Sequence, residues 1–293
     1  MTASGSSDDV AFRRALRRAA PAIARDLPWI AHDDPWAILV SEFMLQQTQT
    51  SRVVGPWRAF LDAYPTPKEC ADDTLAHVLQ RWKGLGYHRR AKALHDAARM
   101  IRDEFDGAVP GEVAELRRLP GVGEYTANAV ASFAFAQPVA VLDTNVGRIV
   151  ARAIENRSLR PSEARAIAQR LLPRRGGAEF NQAMLDLGAQ FCRSSPRCGE
   201  CPVARTCRWR LDGGLDPAPQ SAGVSRPQSP FLGSDRQVRG RVLAALREEP
   251  RTKTELAAVL ADVDEDRAQG VLASLVRDGL VEHTGQLVHL PAR

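Results

Sequence analysis

Two stretches decide the fold: LPGVGEYTANAV, Leu119–Val130, and VLDTNV, Val141–Val146. Gly121, Val122 and Gly123 form a short turn between two helical patterns. Backbone N–H groups in such a turn can approach a phosphate without interference from a Cβ. The helix that follows offers its positive end to the same anion. Asp143 stands twenty residues after Gly123, at the head of the next helical pattern. The pair describes a grip on a phosphodiester beside a carboxylate. Taken alone, LPGVG also reads as a plain Pro-Gly turn between helices, so the rest of the chain has to decide.

Outward from the turn, helical patterns dominate residues 10–190. They fall near 10–25, 35–47, 52–63, 71–81, 89–105, 112–118, 124–136, 144–155, 162–171 and 178–190. Asp34-Pro35, Thr66-Pro67 and Pro161-Ser162 supply start signals. Apolar residues recur at three and four, as in Leu75, Val78, Leu79 and Trp82. No strand alternation interrupts them, so the region is all-α. Residues 212–234 are rich in Gly, Pro and Ser and read as a linker. Beyond it come helical patterns at Arg236–Glu248, Lys253–Leu260 and Glu265–Asp278, then LVEHTGQLVHL, which resembles a β-hairpin. This tail is similar to a winged helix.

The chain has 293 residues and 44% hydrophobic content, enough for a real core in one large or two smaller domains. No apolar run reaches transmembrane length, and MTASGSSDDV lacks the basic start and apolar stretch of a signal peptide. A soluble, cytoplasmic protein without membrane contact is expected. The net charge of +5 is uneven. Residues 1–211 carry 30 Lys/Arg against 23 Asp/Glu, and residues 212–293 carry 10 against 12. The basic part holds the motifs, as nucleic-acid binding requires. Arginine supplies 36 of the 40 cations, a skew that reflects base composition of the gene rather than function.

Four of the five cysteines cluster as Cys192-x5-Cys198-x2-Cys201-x5-Cys207. Thiolates so close in an intracellular chain argue for a metal over disulfides. Zinc and an iron–sulfur cluster both accept four cysteines. One Cys-x2-Cys knuckle with wide flanks favours 4Fe–4S. Its expected task is to brace a basic loop that includes Arg193, Arg197, Arg205, Arg208 and Arg210. Cys70 stands apart and reads as a small buried apolar residue.

In WAILVSEFMLQQTQT, Glu42 is flanked by Ile38, Leu39, Phe43, Met44 and Leu45. Apolar surroundings disfavour the charged carboxylate and prepare the group to act as a general acid. The alternative is an exposed glutamate sharing a polar face with Ser41. The amides of Gln46, Gln47 and Gln49 suit reading base edges. Asp143 also reads as an ordinary N-cap before Thr144. The two roles are compatible, since a cap is a rigid mounting.

Together these motifs resemble the helix-hairpin-helix DNA glycosylases, and in detail the A/G-specific adenine DNA glycosylases of the MutY type. The resemblance covers roughly residues 20–210. It rests on LPW at Leu27–Trp29, SEFMLQQTQ at Ser41–Gln49, GLGYHRRAKAL from Gly84, LPGVGEYTA from Leu119, VLDTNV from Val141, FNQAMLDLGA from Phe180, and the cysteines, in family order. It implies that Glu42 protonates the adenine ring and Asp143 stabilises the positive sugar, with Asn145 beside it. It implies that Gln46 and Gln47, with Thr48 next to them, enter the duplex at the orphaned base and that Tyr87 wedges beside it. Gly121, Val122 and Gly123 match the hairpin that holds phosphate, often through a monovalent cation. Trp29 and Gln182 match adenine-side positions. The adenine would be flipped from the stack. Tyr125 stands where bifunctional relatives carry the lysine that forms a Schiff base, which implies base removal by water with the strand left intact.

Some positions depart from the pattern. Ile30 follows LPW where arginine is usual, Thr144 replaces a glycine, and the first cysteine spacing is five where the family has six. Residues 235–293 are too short and too helical for the Nudix-like domain of many members. The segment from Phe231, FLGSDRQ, with Phe231 and Ser234, is a candidate reader of an oxidised guanine. The expected organisation is a glycosylase domain over 1–211, a linker over 212–234 and a winged-helix-like domain over 235–293. The expected enzyme is monomeric and acts on double-stranded DNA with mismatched or oxidised pairs, excising adenine opposite 8-oxoguanine or guanine in base excision repair. A thymine or uracil mismatch glycosylase and a non-catalytic binder of damaged DNA are the competing expectations.

Overall fold

The computed structural model describes residues 7–30, 32–221 and 230–291. Residues 222–229 of the expected linker lie outside them. The helices are α1 Ser7–Ile23, α2 Pro35–Leu45, α3 Val54–Ala63, α4 Pro67–Asp72, α5 Leu75–Arg81, α6 Arg89–Glu104, α7 Val113–Leu116, α8 Glu124–Phe135, α9 Thr144–Ile149, α10 Pro161–Leu171, α11 Gly177–Gln190, α12 Arg208–Asp212, α13 Asp235–Glu248, α14 Lys253–Val259 and α15 Glu265–Arg277. Among the described residues no helix is long and apolar enough to cross a membrane.

Local chemistry explains the boundaries. Asp34 caps α2 by accepting from the Trp36 N–H at 2.9 Å, and Pro35 opens the helix with a preset φ. The pattern expected over 71–81 divides into α4 and α5. Thr74 restarts the helix as an N-cap, accepting from the His77 N–H. The pattern expected over 144–155 begins as α9, which carries Arg148, and continues as a π-helix, Val150–Glu155, which carries Arg152; both arginines reach the cysteine segment. Such widened turns recur at functional places in helices.

The chain folds into two compact units. One is built from the described residues of 1–33 and 123–226, the other from those of 34–122 and 227–293. In the first, Phe12, Leu16, Val146, Ile149, Leu171 and Leu187 form the core, and Cys192, Cys201 and Cys207 pack against it. In the second, Trp36, Phe43, Phe60, Trp82, Leu94 and Ile101 are buried. Full burial of each such side chain contributes about 1.5–3 kcal/mol.

The tail differs from its expected organisation in two respects. First, α13, α14 and α15 are accompanied by a three-stranded antiparallel sheet, where the sequence suggested a hairpin. Arg251–Thr252 (β1) joins the expected pair Glu282–Thr284 (β2) and Leu287–His289 (β3) in the order β1-β3-β2. Second, the tail shares its compact unit with residues 34–122. Arg247 Nε donates to the Leu79 carbonyl at 3.1 Å, and the Ala76 N–H donates to the Pro291 carbonyl at 3.1 Å. The start of the expected linker is also fixed. Asp216 pairs with Arg152, and the Ser221 hydroxyl accepts from the Leu159 N–H at 3.1 Å.

Candidate active site and DNA-facing elements

Glu42 is 5% exposed and Ser41 fully buried, so the exposed-face alternative fails. Helix α2 is covered on all sides, and Ser41 satisfies its hydroxyl by donating to the Ile38 carbonyl at 2.7 Å. Glu42 belongs to the unit of residues 34–122 and Asp143 to the other.

Asp143 is the N-cap of α9. Its Oδ1 accepts from the Val146 N–H at 2.8 Å, and its Oδ2 accepts from Asn145 Nδ2 at 2.6 Å. Burial raises its pKa above the ordinary aspartate value, although these donors and Arg148 oppose the rise. Asn145 Oδ1 accepts from Arg148 Nη2 at 2.6 Å, and Arg148 Nε donates to the Cys192 carbonyl at 2.6 Å. A relay of hydrogen bonds therefore runs from the acid to the cysteine segment. Gly188 lets α11 approach it: a Cβ there would stand 2.5 Å from the Asn145 Cβ.

The two hairpin glycines have different reasons. Gly121 has φ +77°, and a Cβ would meet the Ala93 Cβ at 2.7 Å and Phe43 Cε1 at 2.8 Å. Gly123 has extended backbone, caps α8, and a Cβ there would meet nothing within 4 Å. Gly121 is required by the fold, whereas Gly123 leaves the start of α8 open to approach. The Val122 N–H is taken by the Leu119 carbonyl at 3.1 Å. Tyr125, in the first turn of α8, lines a recess with Asn128, Leu142, Arg165 and Gln169.

Trp29 is buried and Ile30 is 38% exposed. Gln182 Nε2 donates to Asp186 Oδ1 at 2.8 Å, and Arg25 also donates to that oxygen at 2.6 Å. The amide is thus oriented with its oxygen left to accept. Asn181, not singled out in the sequence, donates to Ser132 Oγ at 2.8 Å and the Val139 carbonyl at 2.9 Å, tying down the approach to Asp143.

Gln46, Thr48 and Tyr87 are gathered by Arg90, 8% exposed, and Gln47 lines the same recess. Arg90 Nη1 donates to the carbonyls of Phe43 and Met44 at 2.8 Å and of Gln46 at 2.5 Å. Its Nη2 donates to Thr48 Oγ1 at 3.0 Å and the Leu85 carbonyl at 3.1 Å. The C-terminal carbonyls of α2, orphaned by the helix end, thus converge on one guanidinium. Gln47 and Tyr87 both have left-handed backbone, φ 56° and 47°, a strain that clusters at functional sites. Ser234 of the FLGSDRQ segment donates its hydroxyl to the Phe231 carbonyl at 2.6 Å, while Phe231 is 57% exposed.

Cys192, Cys198, Cys201 and Cys207 line one largely apolar recess. Among the described residues no His, Cys, Asp and Glu group stands close enough to hold a single metal ion. Burial pushes the Cys201 thiol up to about 11. Arg152, 1% exposed, donates to Cys192 Sγ at 3.5 Å and the Arg193 carbonyl at 2.6 Å, and stacks on Trp209 at 5.4 Å. Asp216 balances its charge at 2.6 Å. Cys70 is fully buried.

This fold and these residues define a base excision DNA repair protein. The family model described as "HhH-GPD superfamily base excision DNA repair protein" matches residues 40–174. Among solved structures, a thermostable thymine-DNA glycosylase superposes with a TM-score of 0.65 at 25% identity, over 70% of this chain and 97% of that one. Endonuclease III trapped on DNA gives 0.61 at 25% identity over the same shares. The adenine DNA glycosylase of Mycolicibacterium smegmatis is 46% identical over 255 residues, 84% of each chain. The chain belongs to the adenine DNA glycosylase family.

Proposed function

We propose that the chain hydrolyses the N-glycosidic bond of adenine mispaired with 8-oxoguanine or guanine in double-stranded DNA, acting as a monomer and leaving the strand uncut. The observation that carries the proposal is the mounting of Asp143. A half-buried carboxylate with two fixed donors is a preorganised negative group. A positive sugar needs such a group, already in place, as it forms.

The chain's residues divide the reaction between them. Gln46, Gln47 and Tyr87 enter the duplex, and the flipped adenine meets Gln182, whose free amide oxygen suits the adenine amino group. Glu42 gives its proton to the adenine ring. The bond to the sugar breaks and its electron pair leaves with the base. Asp143 stabilises the resulting cation, and water adds to the sugar, giving up its proton to the Glu42 carboxylate. Tyr125 has no amine to attack the sugar, so the abasic strand survives. Gly123 and the start of α8 suit a backbone phosphate, with or without a bridging monovalent cation.

The four cysteines suit a 4Fe–4S cluster. They line one recess, and their single Cys-x2-Cys knuckle with wide flanks favours the cluster over zinc. When bound, the cluster supplies a structural brace. Arg148 and Arg152 transmit that brace to Asn145 and Arg193. The tail, in the order helix, strand, helix, helix, strand, strand, reads as a winged helix.

A second reading, a thymine or uracil mismatch glycosylase, draws on the thymine-DNA glycosylase neighbour and on Ile30. A panel of duplexes separates the two: A opposite 8-oxoguanine, A opposite G, T opposite G and U opposite G. Release of adenine from the first two supports the proposal. Release of thymine or uracil alone supports the second reading. Binding of all four without any release would leave a non-catalytic binder.

A further inference from the structure

We propose that Arg236 is a positioning residue for Tyr87, and that through it the tail sets how strongly a mismatched duplex is preferred over a paired one. The proposal rests on the reading that Gln46, Gln47 and Tyr87 enter the duplex.

Arg236 lies in the first turn of α13, 149 residues from Tyr87. Its Nη1 donates to the Tyr87 hydroxyl at 2.5 Å, and its guanidinium carbon stands 5.5 Å from the ring centroid. Arg90 of α6 stands 5.4 Å from the same centroid. The tyrosine is thus held at its hydroxyl and by two cations at its ring, on a left-handed backbone that no glycine relaxes.

Helix α13 is itself anchored. Arg239 donates to Ser274 Oγ at 2.6 Å and to Asp278 at 2.5 Å, and Arg89 Nε donates to Asp278 at 2.6 Å. Arg247 reaches the Leu79 carbonyl. Arg236 is therefore delivered to Tyr87 by a helix fixed on the same compact unit.

A side chain that enters a base stack loses rotational freedom on binding, and one held beforehand loses less. That saving is made only where the wedge enters. Non-specific binding runs through phosphates and does not draw on it. The clamp therefore changes a ratio of affinities rather than affinity in general. It gives a role to a tail whose charge is slightly negative, because the role needs no phosphate contact.

The test uses the full-length chain with Arg236→Met, Tyr87→Phe and the double variant. Dissociation constants are measured over a salt series on two duplexes, one with a non-hydrolysable adenine analogue opposite 8-oxoguanine and one fully paired. Each single variant is expected to lower the mismatched-to-paired preference about two- to tenfold, the rotational freedom saved by holding one side chain beforehand. The double variant is expected to lose no more, because both changes remove the same bond. The slope of log affinity against log salt stays that of the wild type. An unchanged preference, additive losses, or a slope reduced by about one overturns the proposal, the last because it would make Arg236 a phosphate contact. Tyr87→Phe reads the bond even where Arg236→Met fails to fold. Adenine release by the wild type from a natural duplex reports separately on the underlying function. Release with an unchanged preference in the variants sinks the clamp alone. A wild type with no preference for the mismatch sinks the wedge reading and the clamp with it.

Discussion

Asn145 donates to Asp143 Oδ2 at 2.6 Å while its own oxygen accepts from Arg148. The asparagine therefore fixes the acid and is itself fixed by a residue bonded to the Cys192 carbonyl. Asn145→Ala should cut single-turnover base release by about 10- to 150-fold, the range expected from losing a hydrogen bond of about 1.5–3 kcal/mol to a charged group. Affinity for the mismatched duplex should change far less. Rapid-quench assays at saturating enzyme check this, and a near-normal rate would remove the asparagine from the mechanism.

Gly188 tests the same relay from the other side. A methyl at 2.5 Å from the Asn145 Cβ must push α11 from α9. Gly188→Ala should destabilise by about 1–3 kcal/mol, with a fall of several degrees in Tm and a slower rate. An unchanged Tm would show that the two helices give way freely.

Gly121→Ala meets both a left-handed φ and two near contacts. The combined loss should be about 2–4 kcal/mol, read as a lower Tm in a thermal melt. Gly123, with extended backbone and open space, has no such folding requirement. Its alanine variant should keep a wild-type Tm and weaken DNA binding.

Much of this was legible because it is local. The hairpin, Asp143 and the cysteines stand in short contiguous motifs whose spacing carries the chemistry. The burial of Glu42 was not, because the cover over Ser41 comes from elsewhere in the fold. Nor could Arg90, Arg152 or Arg236 be singled out. Each looks like any of 36 arginines until partners 40 to 149 residues away are brought to it. The π-turn after α9 leaves no signature in a helical pattern, and β1 is only two residues long. The docking of the tail depends on scattered contacts such as Arg247 with Leu79.

His88 gives a pH dependence of stability. Burial, with Arg247, Arg239 and Arg90 nearby, depresses its pKa to about 3. The unfolded chain takes up a proton near pH 6.5 that the folded chain refuses. Its contribution is therefore complete above pH 6.5 and declines as pH falls toward 3. Thermal melts should show Tm falling below pH 6.5, and His88→Asn should flatten part of that slope. An unchanged slope would assign the fall to other groups.

Asp143 gives an acid limit to activity. The carboxyl must be ionised to meet the sugar cation, and its pKa is raised. Base release should fall as pH drops through a value above that of an ordinary aspartate. An acid limb at or below the ordinary value would contradict the raised pKa.

The most direct test of the central claim is single-turnover release of free adenine from a duplex carrying adenine opposite 8-oxoguanine, comparing wild type with Glu42→Gln. The wild type should release adenine and leave a strand that breaks only on alkali treatment, while Glu42→Gln binds the same duplex and releases nothing. Normal release by Glu42→Gln, or a strand cut without alkali, would contradict the account.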